Sequence, residues 1–317
     1  MAVETALAGR RGDARPATGA PPRGLIWSAV AAVFALMLIG NVVSATGSGL
    51  ACPDWPLCHG RIIPPLRAEV LIEYSHRLAA AAASILLLVT IVATVRRSGA
   101  PGLRRVGLVL LALLIAQIGL GGVTVLLKLP NLISTAHLVN ALLILAGLIA
   151  VASASSGRRS PVPKLARLTR AALPVLLFQL ALGGYVRHAG AGLACPDFPL
   201  CSGAVLPDHW LGVVHWTHRW LGVLLLGFFA HLAIAGRHTR LSAQTTLVVT
   251  LALLQVALGI AAVLFRLAPP VRSVHAAVGY ALWAEVVWIA ASAGVWREAL
   301  TRAARGPRLA EASVASP

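Results

Sequence analysis

Apolar residues in this chain neither alternate nor keep to one stripe. They fill whole runs, eight of them, covering roughly residues 25–45, 70–95, 105–127, 131–153, 168–187, 210–236, 243–265 and 271–295. A run of about 20 apolar residues crosses a bilayer core as a helix. A spanning strand needs only about 10 residues of alternating polarity. Length and the lack of alternation therefore predict eight transmembrane helices and an all-α membrane protein. The first run follows basic residues, as a signal peptide would, but its apolar core is too long for a signal peptide. Its outer end also recurs in the fifth run, so it counts as a span.

The polar stretches between the runs repeat. GLACPDWPLC, Gly49 to Cys58, returns as GLACPDFPLC, Gly192 to Cys201, and the four cysteines Cys52, Cys58, Cys195 and Cys201 all lie in these two copies. EYSHR, with Glu73 and His76, returns as HWTHR, with His215 and His218. QIGLGG from Gln117 returns as QVALGI from Gln255, and His137 returns as His275. The offset stays near about 140 residues at every landmark, as a duplicated structural unit requires. The expected organisation is two tandem pseudo-symmetric four-helix bundles, residues 24–153 and 168–296. A cytoplasmic linker is expected over 154–167, a disordered cytoplasmic N-terminus over 1–23, and a cytoplasmic tail over 297–317.

Composition agrees with a membrane protein: 58% of residues are hydrophobic and 12% charged. The net charge of +17 invites a nucleic-acid reading. Its distribution points elsewhere. Arg10, Arg11, Arg15 and Arg23 precede the first run, and Arg96, Arg97, Arg104 and Arg105 lie between the second and third. Arg158, Arg159, Lys164, Arg167 and Arg170 flank the fourth gap, Arg237 and Arg240 the sixth, and Arg297, Arg302, Arg305 and Arg308 follow the eighth run. All these segments share one side if every run spans. The positive-inside rule makes that side cytoplasmic, with both termini there. Aromatic interleaving of the kind a nucleic-acid platform uses is missing. The cysteine loops then face outside, where disulfides persist. A disulfide within each loop is favoured over one between loops. A structural staple and a redox-active pair both remain open.

Ionisable side chains inside a span are functional candidates, because burying them costs free energy. His76, His137, His218 and His275 lie about six to eight residues inside the outer ends of even-numbered spans, roughly 9–12 Å deep. Two such histidines per half, at one depth, suit the axial ligands of one haem. Zinc or copper would need further ligands beside each pair. A lone buried histidine is otherwise a hydrogen-bonded packing residue, which is the reading for His231. Gln117 and Gln255 are expected to join helices by hydrogen bonds. Arg77, Arg219, Lys128 and Arg266, also matched between halves, can either pair with haem propionates or snorkel to the interface. The repeat breaks at one place of interest. Glu73, one helical turn before His76, is matched by His215 in the other copy. An acid beside one iron site can take a proton, orient water or stabilise positive charge, or it can simply face the interface.

With these residues in hand, the chain resembles the haem A synthase family of bacteria, which has a related member in mitochondrial cytochrome oxidase assembly. The resemblance covers roughly residues 24–296 and rests on the eight spans in two halves, EYSHR, the three later histidines and the paired loop cysteines. It implies an oxidoreductase that converts the C8 methyl of haem O into a formyl group, giving the haem A of terminal oxidases. It implies a substrate haem held by His76 and His137, a resident haem b held by His218 and His275, and Glu73 as the catalytic candidate. It also implies a bacterial cell membrane location, a link to haem O synthase and to cytochrome oxidase assembly, and an electron partner. Two other classes stand beside it. One is a bis-histidine di-haem cytochrome that only carries electrons. The other is a quinone-linked thiol oxidase built on the loop cysteines, which leaves four buried histidines without a role.

Overall fold

The computed structural model describes residues 21–157 and 160–301. Those residues form helices α1 (Arg23–Ala45), α2 (Ala68–Arg97), α3 (Pro101–Leu126), α4 (Asn131–Ser155), α5 (Pro163–His188), α6 (Trp210–Gly236), α7 (Ser242–Leu264), α8 (Pro269–Ala293) and the short α9 (Arg297–Thr301). The first eight are long and apolar enough to cross a membrane. They match the eight apolar runs to within a few residues at nearly every end. The exception is α5, which starts at Pro163 and takes over the second part of the expected 154–167 linker. Proline suits the first helical position, where its missing N–H would have had no partner anyway. Residues 1–20 of the expected disordered terminus, and the tail beyond residue 301, lie outside the described residues. The start of that tail is α9, whose Leu300 is buried where it packs on α3.

The helices of residues 24–153 contact one another in a ring, α1–α2–α3–α4–α1, and α5–α6–α7–α8–α5 form a second ring. The rings meet where α4 packs on α5 and α8, and α1 on α8. α4 and α8 are therefore central. Inside the protein lie 56% of the most apolar stretch of α4 and 44% of that of α8, against 22–33% for the other six spans. Leu145, Leu148, Val286 and Val287 are fully buried between them, and Trp283 Nε1 donates to the Leu142 carbonyl at 2.9 Å. The outer helices turn large apolar residues such as Ile85, Ile115 and Leu224 outward. Apolar faces on both sides of a helix are what a lipid environment requires.

The cysteine loops gather at one end of the protein with the α3–α4 and α7–α8 turns. Lys128 and Leu129, and equally Arg266 and Leu267, adopt left-handed φ values of 49–60°. Leu129 N–H donates back to Thr124 O, and Leu267 N–H to Ala262 O, both at 2.7 Å, which closes each helix end. These turns aim Leu129 at Gly49 and Leu267 at Gly192, where a Cβ would sit 3.3 and 2.9 Å from the leucine Cδ1 atoms. At the opposite end Arg240 donates to Ser160 O (2.8 Å) and Ser292 O (2.6 Å), which ties together the chain before α5, the α6–α7 turn and the end of α8.

Each cysteine loop is built the same way. Disulfides join Cys52 to Cys58 and Cys195 to Cys201. Cys58 and Arg61 exchange main-chain hydrogen bonds around His59 and Gly60, both at positive φ, as a type I′ turn requires; Cys201 and Ala204 do so around Ser202 and Gly203. Asp54 accepts from His59 N–H at 2.6 Å and Gly60 N–H at 2.7 Å; Asp197 accepts from Ser202 N–H at 2.6 Å and Gly203 N–H at 2.8 Å. The glycine N–H, aided by the second amide and the nearby arginine, holds each carboxyl below its ordinary value of 3.8. A lowered carboxyl favours the folded loop above its unfolded pKa, and that contribution is lost as pH falls through the folded value. Amide-exchange protection of Gly60 and Gly203 should therefore hold above about pH 4 and fall away below it, and Asp54→Asn should abolish the step at Gly60. Protection that persists unchanged at strongly acid pH would contradict the turn assignment.

Candidate functional site

Each of the four repeated histidines rests on a glycine of the neighbouring helix. A Cβ on Gly40 of α1 would lie 2.8 Å from His76 Cε1, and one on Gly183 of α5 would lie 2.7 Å from His218 Cε1. The corresponding distances from Gly121 of α3 to His137 and from Gly259 of α7 to His275 are 3.4 and 3.3 Å. His76 and His218 thus fit only because the facing residue has no side chain, while the seats of His137 and His275 are close but less tight. Nδ1 of all four rings is buried without a hydrogen-bond partner. A buried polar atom left unpaired costs about 1–3 kcal/mol, so four in equivalent places call for a ligand.

In the C-terminal half the rings of His218 and His275 lie 6.5 Å apart, centroid to centroid, at 80°. Two metal–imidazole bonds of about 2 Å each, plus the half-widths of two rings, account for that spacing. Among the described residues no three His, Cys, Asp or Glu side chains cluster as a metal-binding group. That favours a metal bringing its own equatorial ligands, as haem iron does. The two histidines open onto a cavity of about 290 Å³, close to the lower limit for small-molecule sites. Gln179, Gln255, Arg187 and Arg272 supply further polar lining, together with His215, Arg219 and Tyr280.

The halves differ beside the later histidine. Gln117 Nε2 lies 3.3 Å from His137 Nε2, and Gln255 Nε2 lies 3.3 Å from His275 Nε2. Gln117 is locked in that orientation because its Oε1 accepts from Asn140 Nδ2 at 2.6 Å. Val278 stands at the matching position of α8, and Gln255 Oε1 has no partner. The expected helix-joining glutamines therefore lie against the histidines, one fixed and one free to turn.

Glu73 is almost fully buried. Its Oε2 accepts from Cys52 N–H at 2.7 Å and its Oε1 from Arg77 Nη2 at 2.6 Å. Arg77 also donates to the carbonyls of Cys52, Asp54 and Leu57. Glu73 and Arg77 together clamp the disulfide loop onto α2. In the other half Cys195 N–H approaches His215 Nδ1 at 3.3 Å, Arg219 Nε approaches His215 Nε2 at 3.1 Å, and Arg219 donates to the carbonyls of Cys195, Asp197 and Leu200. The clamp is the same, with imidazole for carboxylate. The substitution is imperfect. A neutral imidazole has one acceptor nitrogen, so His215 cannot receive both donors, whereas Glu73 can. Arg77 and Arg219 are thus engaged by the loops, and Lys128 and Arg266 sit in the left-handed turns. The disulfides are buried beneath this clamp, with their sulfur-bearing residues at most 2% exposed, which suits a staple. Trp55 covers Gly122 of α3, and Arg219 lies 6.0 Å over the Phe198 ring.

Several of these residues escaped the sequence reading. Gly40 gave no signal beyond being a glycine in an apolar run, and Gly259 only its place in the repeated QVALGI stretch. Asn140, Arg187 and Arg272 carried one, since each is polar or charged within a span.

The sequence model of the COX15-CtaA family, described as a cytochrome oxidase assembly protein, matches residues 23–287. The chain belongs to this family. Similar relatives include the haem A synthase of Bacillus licheniformis, 30% identical over 253 residues, covering 74% of this chain and 84% of the relative. That of Alkalihalophilus pseudofirmus is 32% identical over 64% of this chain and 72% of its own. That of Shewanella oneidensis is 28% identical over 74% and 86%. The match takes in all four glycine-seated histidines and both cysteine loops. With eight apolar spans, the family member is a multi-pass membrane protein.

Two substitutions test this geometry. Gly183→Ala forces the His218 ring aside, an overpacking worth about 1–3 kcal/mol, and should lower the haem content of the purified protein while sparing its helicity by circular dichroism. Unchanged pigment would show that the seat is dispensable. His215→Glu supplies the second acceptor and should stabilise the solubilised protein by about 1 kcal/mol, read as a raised Tm; a lowered Tm would count against the clamp.

Proposed function

We propose that this protein is a haem A synthase, which oxidises the C8 methyl of haem O to a formyl group. The N-terminal half takes the substrate haem between His76 and His137, and the C-terminal half keeps a haem b between His218 and His275. The observation that carries the reading is the pair of like sites, two glycine-seated histidines in each half, in a chain whose relatives are named haem A synthase. Whatever supplies the oxygen atom, the methyl carbon gives up four electrons, and bound haem iron provides one-electron chemistry for their passage.

The protein's own residues do the rest. His76 and His137 position the substrate in the spans, and Gln117, fixed by Asn140, presents an N–H to the His137 ring. The disulfide loop, drawn down by Glu73 and Arg77 and carrying Trp55 against Gly122, closes the outer end and excludes water. Glu73 is the acid of this half. Both its oxygens are engaged, one by Cys52 N–H and one by Arg77. The enzyme is read as lying in the bacterial plasma membrane with termini cytoplasmic and cysteine loops outside, an orientation supported by the basic residues gathered at one end. Haem O synthase would supply its substrate and cytochrome oxidase assembly would take its product, with a separate electron partner.

The test is the pigment. Pyridine haemochrome spectra of extracts from cells making haem O should show haem A or a hydroxylated haem O when this chain is expressed. Unmodified haem alone would leave an electron-carrying cytochrome. Glu73→His separates acid from clamp, because histidine holds the loop in the other half. It should retain the disulfide loop and the C-terminal haem b yet accumulate haem O, as should Glu73→Gln. Haem A made at the normal rate by both variants would remove Glu73 from the chemistry.

A further inference from the structure

Arg187 and Arg272 are two cations without an anion. Both line the cavity that His218 and His275 share. Among the described residues neither is part of an ion pair, and the Nε of each is buried without a hydrogen-bond partner. They meet α1 one helical turn apart, at Asn41 and Ala45. Their remaining contacts are neutral and come from α1. Arg187 donates to the Asn41 side chain and to its carbonyl, and Arg272 Nη2 donates to Ala45 O at 2.6 Å. Two guanidiniums held together at the end of a membrane span, without a carboxylate, are costly unless a ligand brings the negative charge.

Their height in the bundle says which part of a ligand they meet. Arg272 precedes His275 by three residues on α8. Arg187 follows Gly183, the seat of His218, by four residues on α5. Both therefore lie about one helical turn outward of the histidine plane and on the same helix faces, about 4.5–6 Å higher along the axis. They also lie on the side of the cavity that faces α1 and the N-terminal half.

We propose that Arg187 and Arg272 form a carboxylate clamp for the propionate edge of the haem in the C-terminal half, fixing that edge outward and toward the N-terminal half. The inference rests on the haem reading above. The duplicated positions sharpen it, because the N-terminal half has Ser44 where Arg187 stands and Ser134 where Arg272 stands. A guanidinium pair grips carboxylates through charge-assisted hydrogen bonds, and a hydroxyl pair grips them weakly. One half is thus built to retain its tetrapyrrole and the other to let it go, a difference independent of Glu73 and His215.

The experiment needs no folding assumption, because the ligand is altered first. Full-length protein carrying His76→Ala, to silence the N-terminal site, is produced under haem limitation and titrated in detergent with haem b or with its dimethyl ester, following the Soret band. The ester should bind about 10- to 100-fold more weakly, the loss expected for hydrogen bonds to charged groups. In Arg187→Gln/Arg272→Gln that preference should vanish, with both forms binding like the ester does to the parent. A low-spin bis-imidazole spectrum with no preference for the free acid overturns the clamp alone, as does a preference that survives in the double variant. Titrations that never give that spectrum, or that are unaffected by His218→Ala, overturn the haem reading and the clamp with it.

Discussion

Everything in this fold bends to the difficulty of burying an imidazole between two transmembrane helices. The ring needs width, which the facing helix provides by having glycine at Gly40, Gly121, Gly183 or Gly259. It also needs a partner for its buried nitrogen, which the protein alone does not provide. The first requirement fixes how closely α1 approaches α2, α3 approaches α4, and so on around each ring. The second leaves four buried nitrogens in equivalent places that a bound ligand would pair. Packing and function are therefore set by the same few positions.

The loops follow from the same constraint. Each disulfide loop folds on itself at the outer end of its half and is then pulled down onto the even-numbered helix. The pull comes from an arginine one turn beyond the clamp residue, Glu73 before Arg77 and His215 before Arg219. Because the arginines grip main-chain carbonyls, the loop sequence is free to differ, as Trp55 and Phe198 do. The clamp residue is not free. A carboxylate receives both donors, and an imidazole receives one of them.

The helices were legible in the sequence because the apolar runs are long and their ends are marked by proline and charge. The duplication pointed to the histidines and the disulfides, since the same residues in the same order at a near-constant offset are hard to mistake. What could not be read was anything that depends on two helices meeting. Glu73 announces an acid beside a ligand, yet its hydrogen bonds to Cys52 and Arg77 arise from a loop whose path no periodicity describes. Arg77 and Arg219 read as either propionate partners or snorkelling residues, and neither reading foretells their hydrogen bonds to the loop carbonyls. Arg187 and Arg272 were passed over because their counterparts are serines, so the repeat that guided the reading hid them. The start of α5 was misplaced for a local reason: Pro163 reads as a linker residue and serves as the first residue of a helix.

The contact between the two halves has a history written into it. α4 of one half meets α8 of the other, and these are counterparts; α1 meets α8 while α5 meets α4, an exchange of counterparts. Contacts of that kind are what two identical subunits make across a two-fold axis. The most buried surface of each half is the one it turns toward the other, so a half on its own would present to the bilayer the face that best fits its own copy. Each half thus completes the other's fold through that shared face, while the two sites differ, with an arginine pair and a histidine in one and serines and an acid in the other.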